Sequence, residues 1–484
     1  MDDRASWIPE PDASVPTPDL PPGAAQMLGL GPKESPGNHA DTISLDDFFA
    51  YMPMHNYIYA PGRAHWPGAS VNSRLPSIKL TDAKGQPVLD DKDKQIIISP
   101  TAWLDKHKPV EQMTWAPGLP LVIEDRLILD GGWTRKTGAA VFNLYRPADV
   151  LRGGDPAQAQ RWVDHIHFVY PDEAEHIINW LAHRVQRPEE KINHALVLGG
   201  DQGIGKDTLL EPVKHAIGPW NFQEASPQQI LGRFNGFLKA VILRVSEARD
   251  LGEYDRFSFY DHMKTYIAAP PDTLRVDEKN LREYNIPNVC GIIITTNHKN
   301  DGIYLSEDDR RHYVAWSSRQ KEDPTFQDGY WSKLWRWYVA GGLAHVAAYL
   351  QQHDIKAFDP KAPPPKTAAF WSIVDSNRPA EESELADAID KLKDLGSNDA
   401  FTLIQIRNVT QDASLIAWLD DRKNRRTVPY RLEKCGYVPV RNDAAKDGLW
   451  VVNNKRQAIY AKVALTLRDQ LKAAGMIAAD RSNQ

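Results

Sequence analysis

Cysteine is nearly absent: Cys290 and Cys435 are the only two in 484 residues, and they sit in different regions. Two scattered thiols exclude a disulfide framework and a zinc-type spacing, and point to a reducing cytoplasm. Long apolar runs are also missing. None approaches the roughly 20 residues that span a bilayer, so no membrane partner is expected. The N-terminus lacks the basic segment and apolar stretch of a secretory signal. A positive net charge is lacking too, with 58 Lys and Arg against 64 Asp and Glu. A net charge of −6 excludes a uniformly basic surface for a polyanion.

The charge is unevenly spread, however. From Phe401 to Gln484 there are 15 Lys and Arg against 8 Asp and Glu, a balance of +7 that leaves −13 on the first 400 residues. One end of the chain could therefore carry an electrostatic footprint for nucleic acid, or simply a solvated basic surface. The remaining composition, 42% hydrophobic and 25% charged, is that of an ordinary globular protein. The length suits about three domains.

The most informative stretch is Leu196-Val197-Leu198-Gly199-Gly200-Asp201-Gln202-Gly203-Ile204-Gly205-Lys206-Asp207-Thr208. An apolar strand enters a glycine-rich turn, then a lysine opens a helix. Gly200, Gly205 and Lys206 fit the G-x-x-x-x-G-K spacing of a phosphate-binding loop. Glycines let backbone N–H groups converge on phosphate oxygens, and the helix aims its positive end at the same point. Lys206 would reach the β- and γ-phosphates. The position that should be Ser or Thr, the magnesium ligand, is Asp207, with Thr208 one residue late.

Two further apolar strands follow, centred on Val241-Ile242-Leu243 and on Gly291-Ile292-Ile293-Ile294, with helical stretches between. Near-continuous apolar strands alternating with helices predict a buried, mostly parallel sheet. In such a sheet ligands bind beyond the carboxyl ends of the strands. There the second strand ends in Ser246-Glu247, and the third in Thr295-Thr296-Asn297. Glu247 could order or activate an attacking water. Asn297 could bridge water and a terminal phosphate, or serve as a turn residue. Asp308-Asp309-Arg310-Arg311 follows. Its arginines either pair with the neighbouring acids or face the triphosphate of an adjacent subunit.

Around this block, residues 1–40 read as a disordered Pro-rich tail and 41–150 as an α+β accessory domain, with strands at Gln95–Ser99 and Leu121–Ile123. The ATPase-type domain is expected over 151–355. Pro171 starts a helix through Val185, and the segment from about Trp331 to Gln352 closes the domain. His165 and His167 alternate as on one face of a strand, but no third metal ligand lies near. A Pro-rich linker at 356–368 leads to a basic domain at 369–484. In it Thr402–Asp421 reads as one or two helices, and Arg425–Lys434 as a basic helix stopped by Gly436. Tyr437–Val440 and Leu449–Val452 read as a β-hairpin around Asn442–Gly448. Helices, a basic helix and a hairpin suggest a winged-helix-like domain with Arg425, Arg426 and Arg431 on DNA, although such domains also bind proteins. No clustered acids or zinc module of a primase are evident, so a primase or polymerase would be a separate partner.

Taken in order, Gly200–Thr208, Ser246-Glu247, Thr295–Asn297 and Asp308–Arg311 resemble the helicase domain of superfamily three, in particular phage and prophage primase-helicases of the poxvirus type. The resemblance covers about Pro171 to Trp316. It implies an AAA+-like parallel-sheet P-loop ATPase, ATP and Mg2+, and a hexameric ring translocating on single-stranded or forked DNA in a bacterial host's cytoplasm. It also implies a cradle formed by Gly200, Asp201, Gln202, Gly203, Ile204, Gly205, Lys206, Asp207 and Thr208. Metal would fall to Asp207, Thr208 and Glu247, and catalysis to Lys206, Glu247, Asn297, Arg310 and Arg311. Asp207 and Ser246 both depart from the family pattern at the metal. In the family a hairpin between the acidic strand and the Asn reaches into a central channel. Asp272–Asn280 matches it here, with Lys279 at the tip for the DNA backbone and Lys264 as a weaker candidate on a helix surface. Two rival readings remain open: a P-loop enzyme acting on a small molecule, and an initiator or regulator that uses ATP only as a switch.

Overall fold

The computed structural model describes residues 43–479 apart from 83, 150–152, 247–251, 299–302, 377–379, 395, 397–398, 411, 422–423 and 425–426. The Pro-rich tail, Glu247, Arg425 and Arg426 therefore lie outside the described residues. The chain divides into two compact units, the first ending at Val374 and the second beginning at Asp375.

The first unit opens with β1 (Phe48–Tyr51), β2 (Asn56–Tyr59) and β3 (Ala64–Trp66), then the short strands β4 (Ile78–Lys79) and β5 (Ile97–Ile98). β6 (Pro109–Val110), β7 (Gln112–Thr114), β8 (Val122–Leu129) and β9 (Gly132–Asn143) follow. They form a four-stranded sheet ordered β3-β2-β1-β6, a three-stranded sheet ordered β7-β9-β8 and the pair β4-β5. Phe48, Tyr57 and Leu104 fill one core beneath the first sheet.

The centre is a five-stranded sheet built from β10 (Ala195–Gly199), β11 (Phe222–Ala225), β12 (Ile242–Ser246), β15 (Gly291–Thr296) and β16 (His312–Trp316). Between β12 and β15 lies a hairpin of β13 (Thr273–Val276) and β14 (Tyr284–Pro287). The order is β11-β12-β15-β10-β16, and every neighbouring pair is parallel. All residues of β10 and β15 are buried, as continuous apolar strands covered on both faces require. Trp180 and Arg184, on the helix Ala174–Gln186, lie against Gly291. A Cβ there would come within 2.6 Å of Arg184 Cδ and 2.8 Å of Trp180 Cη2. Only glycine lets that helix approach so closely.

His165 and His167 do not share a strand face. They belong to the helix Gln160–Val169, in which Trp162, Ile166 and Val169 recur at helical spacing and are buried. Two residues apart on a helix, the histidines point to different sides. The His165 side chain is buried against the glycine loop, whereas that of His167 is 42% exposed.

The second unit has a helix at Ala380–Asp394, then β17 (Ala400–Thr402) and helices at Leu403–Val409, Ala413–Asp420 and Thr427–Lys434. β18 (Tyr437–Val440), β19 (Trp450–Val452), β20 (Lys455–Gln457), β21 (Ile459–Lys462) and the helix Leu467–Ala479 complete it. Leu385, Ile389, Phe401, Leu415 and Leu432 form its core. The expected hairpin between Tyr437–Val440 and Leu449–Val452 is not formed. β18 pairs with β21, and β19 with β20. Asn453 and Asn454, at φ 50° and 58°, make a two-residue turn of the kind that closes a tight hairpin. β19 therefore turns straight into β20.

Trp180 fills the space beside Gly291 and donates its indole N–H to the His194 carbonyl at 3.2 Å. Trp180→Ala should destabilise the first unit by about 3–5 kcal/mol, read as a lowered calorimetric transition.

Candidate functional site

Parallel pairing brings all five carboxyl strand ends to one edge of the sheet. β12, β15 and β10 are consecutive there, so Ser246, Thr295–Asn297 and the loop after Gly199 converge. They line one pocket of about 510 Å³ with Gln202, Gly203, Gly205, Lys206, Asp207, Thr208, Arg244, Trp331 and Trp335. Three segments separated in sequence by tens of residues thus meet, and Lys206, Thr208 and Asn297 line the same pocket. Glu247 lies outside the described residues, one position beyond the pocket-lining Ser246.

Within the loop, Gly200, Gly203 and Gly205 have φ of 136°, 83° and 93°, a region that side chains rarely enter. A Cβ on Gly200 would come within 2.7 Å of Ile204 Cδ1, and one on Gly205 within 2.6 Å of Trp331 Cη2 and 2.7 Å of His165 Nε2. The loop therefore requires glycine at these positions. The helix Lys206–Ile217 begins directly after it with no side-chain cap. Its first N–H groups are thus open to an anionic ligand.

Lys206 Nζ donates to the carbonyls of Gly200 and Asp201 at 2.6 and 2.7 Å. Burial lowers its pKa to about 8, an effect that Asp207 and Asp201 partly oppose. Asp207 is not free. Arg244, projecting from β12, donates to Asp207 through Nη1 and to Glu224 Oε2 through Nη2 at 3.0 Å. The Arg244 Nε is buried without a hydrogen-bond partner. The arginine thus supplies a counter-charge to both carboxylates. Behind the loop, His165 hydrogen-bonds Tyr330 at 2.8 Å, and burial lowers its pKa to about 4. At neutral pH it is an uncharged wall of the loop.

Arg310 and Arg311 stand elsewhere. They precede β16, whose His312 pairs with Ala195 at the amino end of β10. The length of β16 separates them from the glycine loop, about 16 Å at strand rise. They cannot reach a ligand on the loop of their own chain. Neither forms an ion pair among the described residues, because the adjacent acids are engaged otherwise. Asp308 accepts from Ser306 at 2.6 Å, and Asp309 accepts from Tyr260 at 2.8 Å and contacts His312 at 3.1 Å. Burial would raise the Asp309 carboxyl, but His312 and these hydrogen bonds hold it well below the usual carboxylate range.

Lys279 is exposed in the turn between β13 and β14. The hairpin is braced by the accessory sheets. Thr114 Oγ1 donates to the Asn285 carbonyl at 2.9 Å, and Thr273 Oγ1 to the Asp130 carbonyl at 2.6 Å. Lys264 pairs with Asp261 at 2.7 Å on a helix surface. In the second unit Arg431 lies 4.4 Å from the Trp418 ring centroid. A larger cleft, about 980 Å³, lies between β14 and the accessory sheets, but its charges are largely matched internally, as in Arg233–Asp277 at 2.8 Å and Arg275–Glu283. The loop pocket therefore remains the stronger site.

Sequence reasoning missed Arg244, Trp331 and Trp335. The available signals were a lone charge inside the apolar run Val241–Val245, and two tryptophans four apart. A phosphate ligand needs the Lys206 ammonium, which loses its proton as pH rises through about 8. Affinity for inorganic tripolyphosphate should accordingly hold below pH 8 and fall by up to about tenfold per pH unit above it, measured by titration calorimetry.

Residues 198–311 match a protein family described as of unknown function (DUF5906). Over 182 residues, 37% of this chain, the sequence is 25% identical to the DNA Primase-polymerase of Nitratiruptor phage NrS-1. That match spans a quarter of the relative's length. A solved structure of the apo NrS-1 C-terminal region superposes with a TM-score of 0.58 at 16% identity, over 88% of this chain and 99% of the other. A second, its A form, gives 0.52 at 17% identity over 78% and 96%. The chain thus shares the fold of that region and has sequence kinship with a phage replication enzyme.

Proposed function

We propose that this chain is an ATP-driven DNA translocase of phage-type replication, working as a ring on single-stranded or forked DNA. The observation that carries the reading is the convergence of the glycine loop, Ser246 and Asn297 at three adjacent parallel strand ends. Phosphates of ATP would lie on the amides of residues 200–206, with Lys206 exchanging its two carbonyl partners for phosphate oxygens. Asn297 would position the attacking water and Glu247 accept its proton. Magnesium would be held by oxygens of Thr208, Asp207 and Glu247, a hard donor set that suits it. Bound there, a divalent cation would supply positive charge against the phosphates.

Arg310 and Arg311 fit this scheme only across a subunit boundary, since they stand at the far edge of their own sheet. That placement favours a ring, in which each site is completed by a neighbour. Lys279, at the tip of a braced hairpin, would grip the DNA backbone. The second unit, with its three-stranded sheet ordered β17-β21-β18 and the inserted β19-β20 hairpin, supports a winged-helix-like module. Arg425, Arg426 and Arg431 would meet duplex phosphates from the helix Thr427–Lys434 and the segment before it. Priming or polymerising activity belongs to the phage relative, and a separate protein would supply it here.

A second reading, an ATP-switched initiator with little unwinding, is favoured by the Asp207–Arg244 pair, which occupies the residue next to the loop lysine. DNA-stimulated ATP turnover separates the two. The translocase should show it, together with strand displacement on forked DNA, whereas a switch protein should bind ATP and turn it over little. Lys206→Ala should abolish turnover and leave the circular dichroism spectrum unchanged. Arg310→Ala or Arg311→Ala should lose hydrolysis while keeping ATP affinity. Mixing either arginine variant with Lys206→Ala subunits should recover part of the activity. No recovery in demonstrably mixed rings would remove the shared-site arrangement.

A further inference from the structure

The lining of the loop pocket has one wall that phosphate chemistry does not use. Trp331 and Trp335 lie four residues apart on the helix Tyr330–Trp337, hence on one face of it. Both are half-buried and both line the pocket beside Gly205, Lys206 and Thr208. Trp331 is held rigidly. It stacks on Phe326 at 5.0 Å and 22°, and meets His165 edge-on at 5.8 Å and 85°. Its outer ring edge lies against the Cα of Gly205, where a Cβ could not fit. Trp335 stands perpendicular to Tyr338 at 5.7 Å. The Tyr338 hydroxyl donates to the Thr208 carbonyl at 3.0 Å, tying the tryptophan helix to the loop helix.

The two walls come from opposite flanks of β10. Arg244, Ser246 and Asn297 belong to β12 and to the end of β15 on one side, whereas the tryptophan helix follows β16, on the other side. A ligand with phosphates on the loop and its far end turned away from Arg244 meets indole rings. Planar aromatic surface at such a place suits a planar partner, because base–aromatic stacking recovers apolar area without hydrogen bonds.

We propose that Trp331 and Trp335 form the wall on which the base of a nucleoside triphosphate stacks, with purines favoured by their larger ring surface. This assignment rests on the phosphate-site reading above and adds the other half of the ligand. Trp331 is too deeply braced for a clean test, since its removal would unseat Phe326 and His165. Trp335 is the informative residue.

The experiment is titration calorimetry of the full-length protein with ATP, UTP and inorganic tripolyphosphate, comparing wild type with Trp335→Ala and Trp335→Phe. Trp335→Ala should weaken ATP by about 5- to 50-fold, leave tripolyphosphate unchanged, and be partly rescued in Trp335→Phe. UTP should bind the wild type several-fold more weakly than ATP, and equal binding would overturn the purine preference. Unchanged ATP affinity in Trp335→Ala overturns the base wall. An equal loss for ATP and tripolyphosphate also overturns it, by assigning Trp335 to the support of the loop. Tripolyphosphate that fails to bind the wild type overturns the phosphate site itself, and so distinguishes the two failures.

Discussion

The site depends on one constraint: β10 is buried on both faces and paired in parallel on both edges. Such a strand can present only its carboxyl end to a ligand, and its neighbours β15 and β16 must end at the same level. The packing enforces this at single-atom resolution. A Cβ on Gly199 would come within 2.1 Å of Trp316 Cε3, so the last residue of β10 must be glycine for β16 to close against it. The glycine loop, the Asn297 tip and the Ser246 tip are brought together by this pairing.

Electrostatics at the pocket then follows from confinement. Lys206 lies in a place where burial disfavours its charge, so it holds two backbone carbonyls in the absence of a stronger partner. Asp207, placed where a hydroxyl residue is usual, is itself exposed, and it pairs with Arg244, whose side chain is the more buried member of the pair. The departure from the usual loop pattern is thus accompanied by a compensating residue 37 positions later, on a strand that sequence spacing does not connect to it. The accessory sheets act comparably on the β13–β14 hairpin. They exchange hydrogen bonds with it, Thr114 donating to the Asn285 carbonyl and Thr273 of the hairpin to the Asp130 carbonyl, and set where its exposed tip stands.

Much of the architecture was legible. The three strands recognised from apolar runs are β10, β12 and β15, the central strands of the sheet, because strands covered on both faces must be continuously apolar. The two that were missed, β11 and β16, are its edges. Gln223 and Glu224 interrupt the pattern of β11, and β16 is hidden behind a run of charged residues; polar edges are how sheets avoid further pairing. The histidines at 165 and 167 misled because a two-residue spacing imitates a strand, while the longer apolar rhythm of Trp162, Ile166 and Val169 belonged to a helix. In the second unit two of the five strands, β18 and β19, were legible, but they were paired with each other, whereas the turn at Asn453-Asn454 sends β19 into β20 and β18 pairs with β21.

The sequence by itself determined the glycine-rich loop between strand and helix, the parallel central sheet and the basic terminal region, because each rests on local spacing, backbone freedom or charge. Only the tertiary structure decided that Arg244 faces Asp207, that two tryptophans flank the loop, and that Arg310 and Arg311 stand at the far edge of their own sheet. Those facts depend on which strands are neighbours and on which end of a strand a residue occupies. Strand order is chosen by the packing of the whole unit, and no short window of residues encodes it.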